Sequence, residues 1–412
     1  MKEILIVGGG AAGIAAALSA AQSGARVHVT VLEGLDRVGK KILATGNGRC
    51  NLSNRSILPE HYFTARPDLL RPLLKKMPTA VAEDFFRRQG LLCCADEAGR
   101  LYPYGRQAAM VLDVLRLALE RSGVETVCGC KVTGIVPGKR GFTVQTEEHG
   151  KFYGDAVILT TGGKAAPGQG VTGVGYALAG SMGHSCTALY PALVALKCRH
   201  SALKGLKGIR VQCAAALLRG GKEIARQSGE VQLTDYGLSG IPVMQLSCAL
   251  GQLKNKENTE ISLDFFPEWE QSELEELLRQ RVKERGAETI ETLFLGLLQK
   301  RLLYALMKDA GLSPLSRMGK TLSPREVRNL CAVLTDWRVP VEGPLSWEHA
   351  QVTGGGVALD EIDGHFASRC QKGLYLAGEV LDVTGTCGGY NLHWAWCSGM
   401  EAGRACAQEA EA

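Results

Sequence analysis

Three features are scarce in this sequence, and each absence narrows the class of protein. No apolar run reaches the roughly 18 residues that a membrane-spanning helix needs, so no membrane partner is expected. Net charge is low, because 47 Lys and Arg nearly balance 42 Asp and Glu. The fourteen cysteines include no Cys-x-x-Cys pair, since Cys93 adjoins Cys94 and one residue separates Cys128 from Cys130. No zinc-finger site, and no metal site of any kind, is therefore predicted.

The same cysteines bear on location. An apolar run begins at residue 3 and enters a glycine turn, which is not the pattern of a secretory signal. Without such a signal, cysteines are expected to stay reduced. We therefore expect a cytoplasmic protein.

The composition is that of a globular protein. Hydrophobic residues make up 45% of the chain, charged residues 22%, and mean hydropathy is near zero. The 412 residues favour two or three domains. Glycine is abundant, with 51 residues often in clusters, which indicates tight turns and close backbone approaches.

The first 32 residues predict a complete strand–helix–strand unit. Residues 3–7 are an apolar strand, 14–23 an Ala-rich helix and 26–32 a second strand. Between the first strand and the helix lies Gly8-Gly9-Gly10-Ala11-Ala12-Gly13, a G-x-G-x-x-G motif. A glycine motif in this context predicts a dinucleotide site.

Each part of that motif has a physical role. Gly8 permits the tight turn, Gly10 lets the backbone approach a pyrophosphate, and Gly13 lets helix and strand pack closely. Glu33 ends the second strand, where its carboxylate can accept hydrogen bonds from a ribose 2′-hydroxyl. Its loss is expected to weaken dinucleotide binding by about 1–3 kcal/mol.

Two further segments favour FAD over NAD. A basic loop, Arg37-Val38-Gly39-Lys40-Lys41, can bring donors to a pyrophosphate, with a solvated loop as the alternative. Near the far end, residues 373–377 form an apolar strand that ends at Gly378-Glu379, a turn typical of flavin enzymes. No second dinucleotide motif follows a strand, so NAD(P)H is expected only as a transient electron donor.

Composition changes in the middle of the chain. Residues 191–265 are rich in short predicted strands and in basic residues, and 266–335 are helical with periodic leucines. The glycine motifs at both ends belong together chemically. We predict an α/β protein in which one nucleotide-binding domain, 1–190 with 347–412, is interrupted by an inserted domain, 191–346.

Four motifs identify a resemblance that covers nearly the whole chain. They are Gly46-Asn-Gly-Arg-Cys-Asn51, Thr161-Gly-Gly163 with Gly170-Val-Thr-Gly-Val-Gly-Tyr176, Val352-Thr-Gly-Gly-Gly-Val357, and Gly378-Glu-Val-Leu-Asp-Val-Thr-Gly-Thr-Cys-Gly-Gly-Tyr-Asn-Leu392. The chain resembles the BaiN/YhiN-like bacterial FAD-dependent flavoproteins, also described as aminoacetone-oxidase-like or NAD(P)/FAD-dependent oxidoreductases. That resemblance implies a glutathione-reductase-like, Rossmann-type FAD domain with an insert of a β-barrel (191–265) and a small helical bundle. His393 departs from the pattern, because relatives tend to carry Gln there.

The resemblance also implies a role for the last helix. Its start, at Gly388 to Asn391, would point at the N1–C2=O edge of the flavin and favour negative charge there. Asn391 could instead serve only as a helix cap. The predicted cofactor-binding residues are Gly8, Gly10, Ala12, Gly13, Glu33, Gly39, Lys40, Lys41, Asn51, Gly162, Gly378, Glu379, Gly389, Asn391 and Leu392.

Arg49, Cys50 and His393 are the catalytic candidates, and Tyr390 is a further candidate proton donor. Arg49 and Cys50 lie in a glycine-rich loop that could reach the flavin or substrate, and His393 could donate a proton, as could Tyr390. Each has a structural alternative: Arg49 as a phosphate contact, Cys50 as a small buried residue, and His393 as a packed side chain.

The function most favoured is an oxidoreductase that reduces an activated C=C bond of a small enone-like molecule, with NAD(P)H as donor. One alternative is reduction of uridine to dihydrouridine in ribosomal RNA, and another is amine oxidation. The RNA client is favoured by a basic stretch with one acid, Glu223, because cations bind phosphates. Its eight basic residues are Lys197, Arg199, Lys204, Lys207, Arg210, Arg219, Lys222 and Arg226.

Overall fold

The computed structural model of the protein describes residues 1–409. The segment up to residue 192 contains strands and helices in mixed order. Its strands are β1 (Lys2–Val7), β2 (Val27–Glu33), β3 (Ser53–Asn54), β4 (Tyr62–Phe63), β5 (Cys93–Ala95), β6 (Arg100–Pro103), β7 (Glu125–Cys128), β8 (Val132–Pro137), β9 (Phe142–Thr146), β10 (Lys151–Gly154), β11 (Ala156–Leu159) and β12 (Tyr190–Ala192). Its helices are α1 (Ala11–Ala21), α2 (Pro67–Lys75), α3 (Thr79–Gln89), α4 (Ala108–Arg121) and α5 (Val174–Ser181).

The middle of the chain has a different mix of elements. Its strands are β13 (Leu196–Cys198), β14 (Arg210–Arg219), β15 (Lys222–Leu233), β16 (Gly237–Ser239), β17 (Thr259–Asp264) and β18 (Trp337–Pro344). Its helices are α6 (Leu203–Leu206), α7 (Ile241–Gln252), α8 (Gln271–Arg285), α9 (Ile290–Leu293), α10 (Lys300–Asp309) and α11 (Pro324–Thr335). The last part contains β19 (Val352–Gly354), β20 (Leu374–Leu376), β21 (Thr384–Gly385) and α12 (Tyr390–Gln408).

These elements form two compact units. The first consists of Met1–Ala192 and the chain from Trp347 onward, and the second is Leu193–Ser346. The first unit is therefore built from two segments of sequence that the second unit separates.

A five-stranded sheet forms the centre of the first unit. Its order is β20-β11-β1-β2-β7, and every neighbouring pair is parallel. Strand β1 is almost fully buried, as a strand inside a covered parallel sheet must be. The predicted α/β class with a Rossmann-type sheet is confirmed.

Helices α1 and α12 pack on this sheet in close mutual contact. A Cβ at Gly399 would lie 2.2 Å from the carbonyl oxygen of Ala12, and one at Gly403 would lie 2.1 Å from that of Ala16. Only glycine leaves room for the two backbones at this distance. Glycines of the last helix thus allow it to pack directly against the backbone of the first.

The second unit contains a closed antiparallel barrel. The strand order is β13-β16-β15-β14-β17-β18, so β18, which follows the helical segment in sequence, completes the barrel. Two features differ from the short strands expected for 191–265. Strand β15 has 12 residues, and α7 is a 12-residue helix. The apolar residues of α7 are spread around its circumference, so the sequence carries no helical period there.

Among residues 1–409, no helix has both the length and the apolar character needed to cross a bilayer. Helices α2 and α3 are separate, because Pro78 precedes α3 and lies between it and α2.

Candidate functional site

A large cavity lies at the carboxyl ends of the parallel strands in the first unit. The register pairs Val7 with both Leu32 and Leu159, so the three strands end at the same edge. The cavity has a volume of about 720 Å³ and is lined by Gly8–Ala12, Glu33 and Thr160–Gly162, among others. Ligand cavities typically measure roughly 300–1,000 Å³. Ligands of open α/β sheets bind outside this edge.

The glycine turn leaves space in the direction where a ligand would lie. Gly8 has a φ of +102°, and a Cβ at Gly13 would lie 1.9 Å from the carbonyl oxygen of Gly8. A Cβ at Gly10, by contrast, would meet no atom within 4 Å. Gly10 precedes α1 without any side-chain cap, so the first amides of that helix remain available to an anion.

Glu33 is fixed by the backbone around it. One carboxylate oxygen accepts the Gly9 N–H at 2.7 Å and the other accepts the Leu35 N–H at 2.8 Å. Each oxygen keeps a further lone pair for a hydroxyl donor. A carboxylate held in this way at the cavity wall is preorganised to bind a ribose.

Glu33→Ala is expected to raise the Kd for FAD by roughly 5–150-fold, equivalent to about 1–3 kcal/mol. The substitution removes the acceptor for the ribose and also leaves two backbone amides, of Gly9 and Leu35, without their partner. Fluorescence titration of the apoprotein with FAD measures the change. Glu97→Ala, at an exposed turn, serves as the control. An unchanged Kd in Glu33→Ala would show that Glu33 does not hold the ribose.

The turn after β20 brings the C-terminal segment to the same cavity. Glu379 accepts a hydrogen bond from Lys41 Nζ at 2.9 Å and another from the Thr353 N–H at 2.9 Å. Gly378 has a φ of +80°, and a Cβ there would lie 2.7 Å from that of Ala12. These contacts fix the distant strand end against the glycine turn.

The basic loop also borders the cavity. Gly39 has a φ of +78°, and Lys40 forms an exposed ion pair with Asp36 at 3.1 Å. The Lys40 side chain lowers the pKa of the Asp36 carboxyl through this hydrogen bond. Both lysines predicted to hold the pyrophosphate, Lys40 and Lys41, therefore already have a carboxylate partner.

Helix α12 begins at the cavity without a capping side chain. Its N-cap, Gly389, has a φ of +99°. The Asn391 side chain accepts the Gly385 N–H at 2.8 Å and donates to the Gly385 carbonyl at 2.7 Å, so it fixes the preceding turn and does not cap the helix. The first amides of α12 thus carry the partial positive charge of an uncapped N-terminus.

Six buried side-chain polar atoms find no hydrogen-bond partner within the described part of the chain, and three of these are oxygens in or beside the cavity. They are Thr161 Oγ1 and Gln169 Oε1, whose residues line the cavity, and Asn51 Oδ1, which lies beside Gly389. Buried oxygens without partners are uncommon, and a polar ligand is one way to satisfy them. The cavity, its uncapped helix and the fixed Glu33 carboxylate therefore fit FAD, which would supply hydride-transfer chemistry.

Comparison with known proteins places the chain in a family. The family model described as HI0933-like protein Rossmann domain matches residues 2–405. The chain belongs to this family. The predicted class of this HI0933-like protein, an FAD-dependent oxidoreductase, is confirmed.

Two curated relatives match over their full length. The 3-dehydro-bile acid delta(4,6)-reductase of Clostridium scindens is 38% identical over 411 residues, covering 99% of this chain and 100% of the relative. The ribosomal RNA dihydrouridine synthase of Escherichia coli is 29% identical over 412 residues, covering 99% and 97%.

Two solved structures share the fold. The 3-ketosteroid delta1-dehydrogenase of Sterolibacterium denitrificans has a TM-score of 0.52 at 14% identity, covering 99% of this chain and 100% of that one. The 3-ketosteroid-delta4-(5alpha)-dehydrogenase of Rhodococcus jostii has a TM-score of 0.50 at 17% identity, covering 98% and 97%.

Most of the predicted cofactor residues of the HI0933-like protein line the cavity, and four do not. Those that line it are Gly8, Gly10, Ala12, Glu33, Gly39, Lys40, Lys41, Gly162, Glu379, Asn391 and Leu392. Gly13 and Gly378 lie behind the wall, where they permit close packing, and Asn51 and Gly389 contact each other. Thr161 and Gln169 were not among the predicted cofactor residues, although Thr161 begins one of the four motifs and Gln169 directly precedes its second part, Gly170 to Tyr176.

Two catalytic candidates are enclosed away from the cavity. The imidazole of His393 is fully buried, with Nδ1 2.8 Å from Ser53 Oγ and Nε2 2.8 Å from the Met77 carbonyl oxygen. Burial lowers its pKa to about 4. Cys50 is also fully buried, and burial raises the pKa of its thiol to about 12. We therefore do not retain either residue as a catalytic group, because neither can exchange a proton with a ligand in the cavity.

Arg49, the third candidate, is exposed and forms no ion pair within residues 1–409. It does not line the cavity, so a role for it in catalysis stays a prediction.

One cluster could offer ligands to a metal, although the sequence predicts no such site. His184, Glu361 and Cys370 place one donor atom each within 4.8 Å of one another. Both ring nitrogens of His184 already have partners, Glu361 at 3.0 Å and Ser368 Oγ at 2.7 Å. The hydrogen bonds satisfy this cluster without a cation.

Proposed function

We propose that this HI0933-like protein reduces an activated C=C bond of a small molecule, using FAD as hydride donor and NAD(P)H as electron source. The observation that carries the proposal is the full-length relation, at 38% identity, to the Clostridium scindens reductase. A double bond conjugated to a carbonyl is the substrate feature that such chemistry needs, because hydride addition leaves a stabilised enolate.

The residues of the site support this chemistry. The uncapped start of α12 offers amides to negative charge that develops in a bound cofactor or substrate. Glu33 and the amides at the start of α1 would hold the ribose and pyrophosphate. FAD would supply the hydride.

Cytoplasmic location also belongs to this proposal. None of the fourteen cysteines forms a disulfide. Free thiols in this number fit a reducing compartment.

A ribosomal RNA client is the second candidate, since the Escherichia coli relative carries that function in its name. The basic stretch that favours it is largely neutralised in the fold. Glu342 pairs with both Lys197 and Arg199, and three further ion pairs are Lys207–Asp235, Arg210–Glu230 and Arg226–Glu223. These acids lower the net positive charge of the stretch, and net positive charge drives binding to phosphates. The surface therefore supports the RNA client less than the count of basic residues does.

We expect the protein to purify yellow with FAD that acid or heat releases, and its reduced flavin to be reoxidised by a steroid-type dienone under anaerobic conditions. Stopped-flow absorbance of the flavin after reduction by NADH or NADPH measures this. The matched saturated ketone, which has no C=C bond to accept the hydride, should reoxidise the flavin at least tenfold more slowly.

The same assay separates the two clients. Lys204→Glu combined with Lys207→Glu should leave reoxidation by the dienone within twofold of wild type. Reoxidation by undermodified ribosomal RNA alone, abolished by this double charge reversal, would contradict the small-molecule proposal. A colourless protein that cannot be reconstituted with FAD would contradict both.

A further inference from the structure

Three hydrogen-bonded side chains form a row in the first unit, outside the cavity. His184 follows α5, and Glu361 and Ser368 lie between β19 and β20. None of the three lines the cavity that fits FAD. Ser368 Oγ is 2.7 Å from His184 Nε2, and His184 Nδ1 is 3.0 Å from Glu361 Oε2. A hydroxyl, an imidazole and a carboxylate joined in this order form the arrangement that activates a serine as a nucleophile.

The direction of each hydrogen bond follows from the other partners of Ser368. Its Oγ accepts the Cys370 N–H at 3.1 Å and the Gln371 N–H at 2.9 Å. A hydroxyl oxygen has two lone pairs, so the hydroxyl hydrogen is left to donate to His184 Nε2. The ring proton of His184 therefore lies on Nδ1, where it donates to Glu361 Oε2. This is the tautomer in which a histidine accepts the serine proton as a general base.

The carboxylate and the imidazole are both held in place. Glu361 Oε2 also accepts the Ser185 N–H at 2.8 Å, and Oε1 accepts the Ser185 hydroxyl. The His184 side chain is fully buried. Ser368 is only partly buried, and Cys370 close to it is exposed. The base is thus shielded from water, while the serine end of the row lies next to solvent.

Two backbone amides beside the serine can stabilise developing charge. The N–H groups of Cys370 and Gln371 converge on Ser368 Oγ. When Oγ bonds to a carbonyl carbon, the carbonyl oxygen becomes negative and is separated from Oγ by that carbon alone. Backbone amides aimed at the place where such charge develops act as oxyanion donors. The row therefore has a nucleophile, a base, a carboxylate that orients the base, and oxyanion donors.

We propose that Ser368, His184 and Glu361 form a second active site, which hydrolyses small carboxylic esters through an acyl-serine. Ser368 Oγ forms a bond to the carbonyl carbon, and its proton passes to His184 Nε2. The bond from that carbon to the alcohol oxygen breaks, and the alcohol leaves with the proton. The site lies outside the cavity, so we expect it to recognise the ester group and little of the rest of the molecule.

The second half of the reaction restores the serine. A water oxygen bonds to the acyl carbon, and one water proton passes to His184 Nε2. The bond between the acyl carbon and Ser368 Oγ breaks, the carboxylic acid departs, and Oγ regains the proton from His184. Nothing is oxidised or reduced, so this activity needs neither FAD nor NAD(P)H and goes beyond the proposed reductase function.

Two reagents test the serine in the FAD-loaded protein. With p-nitrophenyl acetate we expect a burst of p-nitrophenolate followed by slower turnover, and mass spectrometry should find the acetyl group on Ser368. A fluorophosphonate, which reacts with activated serines, should label Ser368 in the folded protein and not after heat denaturation. Ser368→Ala should hydrolyse the ester at least 30-fold more slowly and lose the label. Ser56→Ala, which changes an exposed serine, is the matched control.

The other two residues have separate tests. His184→Gln removes the base and should lower kcat at least 30-fold. Glu361 is a positioning residue, because it acts through His184 and does not touch the ester. Glu361→Gln should therefore lower kcat at least tenfold with KM within twofold of wild type. FAD content and circular dichroism show whether each variant is folded.

The outcome does not depend on the variants alone. A wild-type protein that shows neither a burst nor a fluorophosphonate label overturns the inference, as does label carried by Cys370 in place of Ser368. Undiminished ester hydrolysis by folded Ser368→Ala overturns it as well. Reoxidation of the reduced flavin by the dienone should stay within twofold of wild type in Ser368→Ala, so failure of the esterase and failure of the reductase are seen separately.

Discussion

Gly10→Val is expected to weaken FAD binding at least 100-fold, about 2.7 kcal/mol, while the apoprotein remains folded. A side chain at this position meets no protein atom, so the space that it would fill is the space left for the ligand. The backbone at Gly10 has a φ of −78° and a ψ of −165°, an extended conformation that valine adopts readily. Equilibrium titration with FAD and thermal unfolding of the apoprotein measure the two quantities separately.

The control for this experiment is Gly180→Val. Gly180 lies near the end of α5, and a Cβ there also meets no atom within 4 Å. Because Gly180 does not line the cavity, its variant should bind FAD as wild type does. Tight FAD binding by Gly10→Val would mean that the pyrophosphate does not pass over the glycine turn.

Gly403→Leu is expected to destabilise the protein by about 3 kcal/mol or more, the upper range for overpacking a tight interior contact. The added side chain would start 2.1 Å from the backbone oxygen of Ala16, and neither helix can yield without moving from the sheet. Urea unfolding followed by circular dichroism measures the change.

FAD affinity, measured on the same Gly403→Leu variant, shows whether the loss of packing also affects the cavity. Helix α12 carries both Gly403 and the cavity-lining Asn391, so a displaced helix should also lose FAD affinity. Gly180→Leu on α5 is the matched variant, because leucine there enters open space. Equal stability of the two variants would show that α1 and α12 tolerate a wider separation.

The sequence predicts the nucleotide-binding elements closely because their signals are local. The strand expected at 3–7 is Lys2–Val7, and the last helix, whose start was expected at Gly388 to Asn391, is Tyr390–Gln408. Helix α7 was missed for a physical reason. Its residues are apolar around the whole circumference, so neither a helical nor a strand period is visible in Ile241–Gln252.

The sequence predicts the parts of the site that depend on local backbone conformation, and it does not predict the parts that depend on distant side chains. Gly8 and Gly10 belong to a glycine motif that predicts a turn directly from the sequence. In the structure both residues line the cavity. The surroundings of His393 depend on Ser53 and Met77, hundreds of residues away in sequence. In the same way, Glu342 forms ion pairs with Lys197 and Arg199 although it lies more than a hundred residues away in sequence, outside the basic stretch 197–226.

The close contact between the first and last helices has a consequence for biosynthesis. Helix α1 ends at Ala21, but the helix that covers it begins only at Tyr390. At translation rates of about 5–20 residues per second, the ribosome needs roughly 20–70 s to make the intervening chain. Leu193–Ser346, which is contiguous, emerges complete before that time. The nascent chain must therefore keep an apolar N-terminal helix uncovered through most of this time, and the cavity is complete only once Asn391 and Leu392 of α12 have been made.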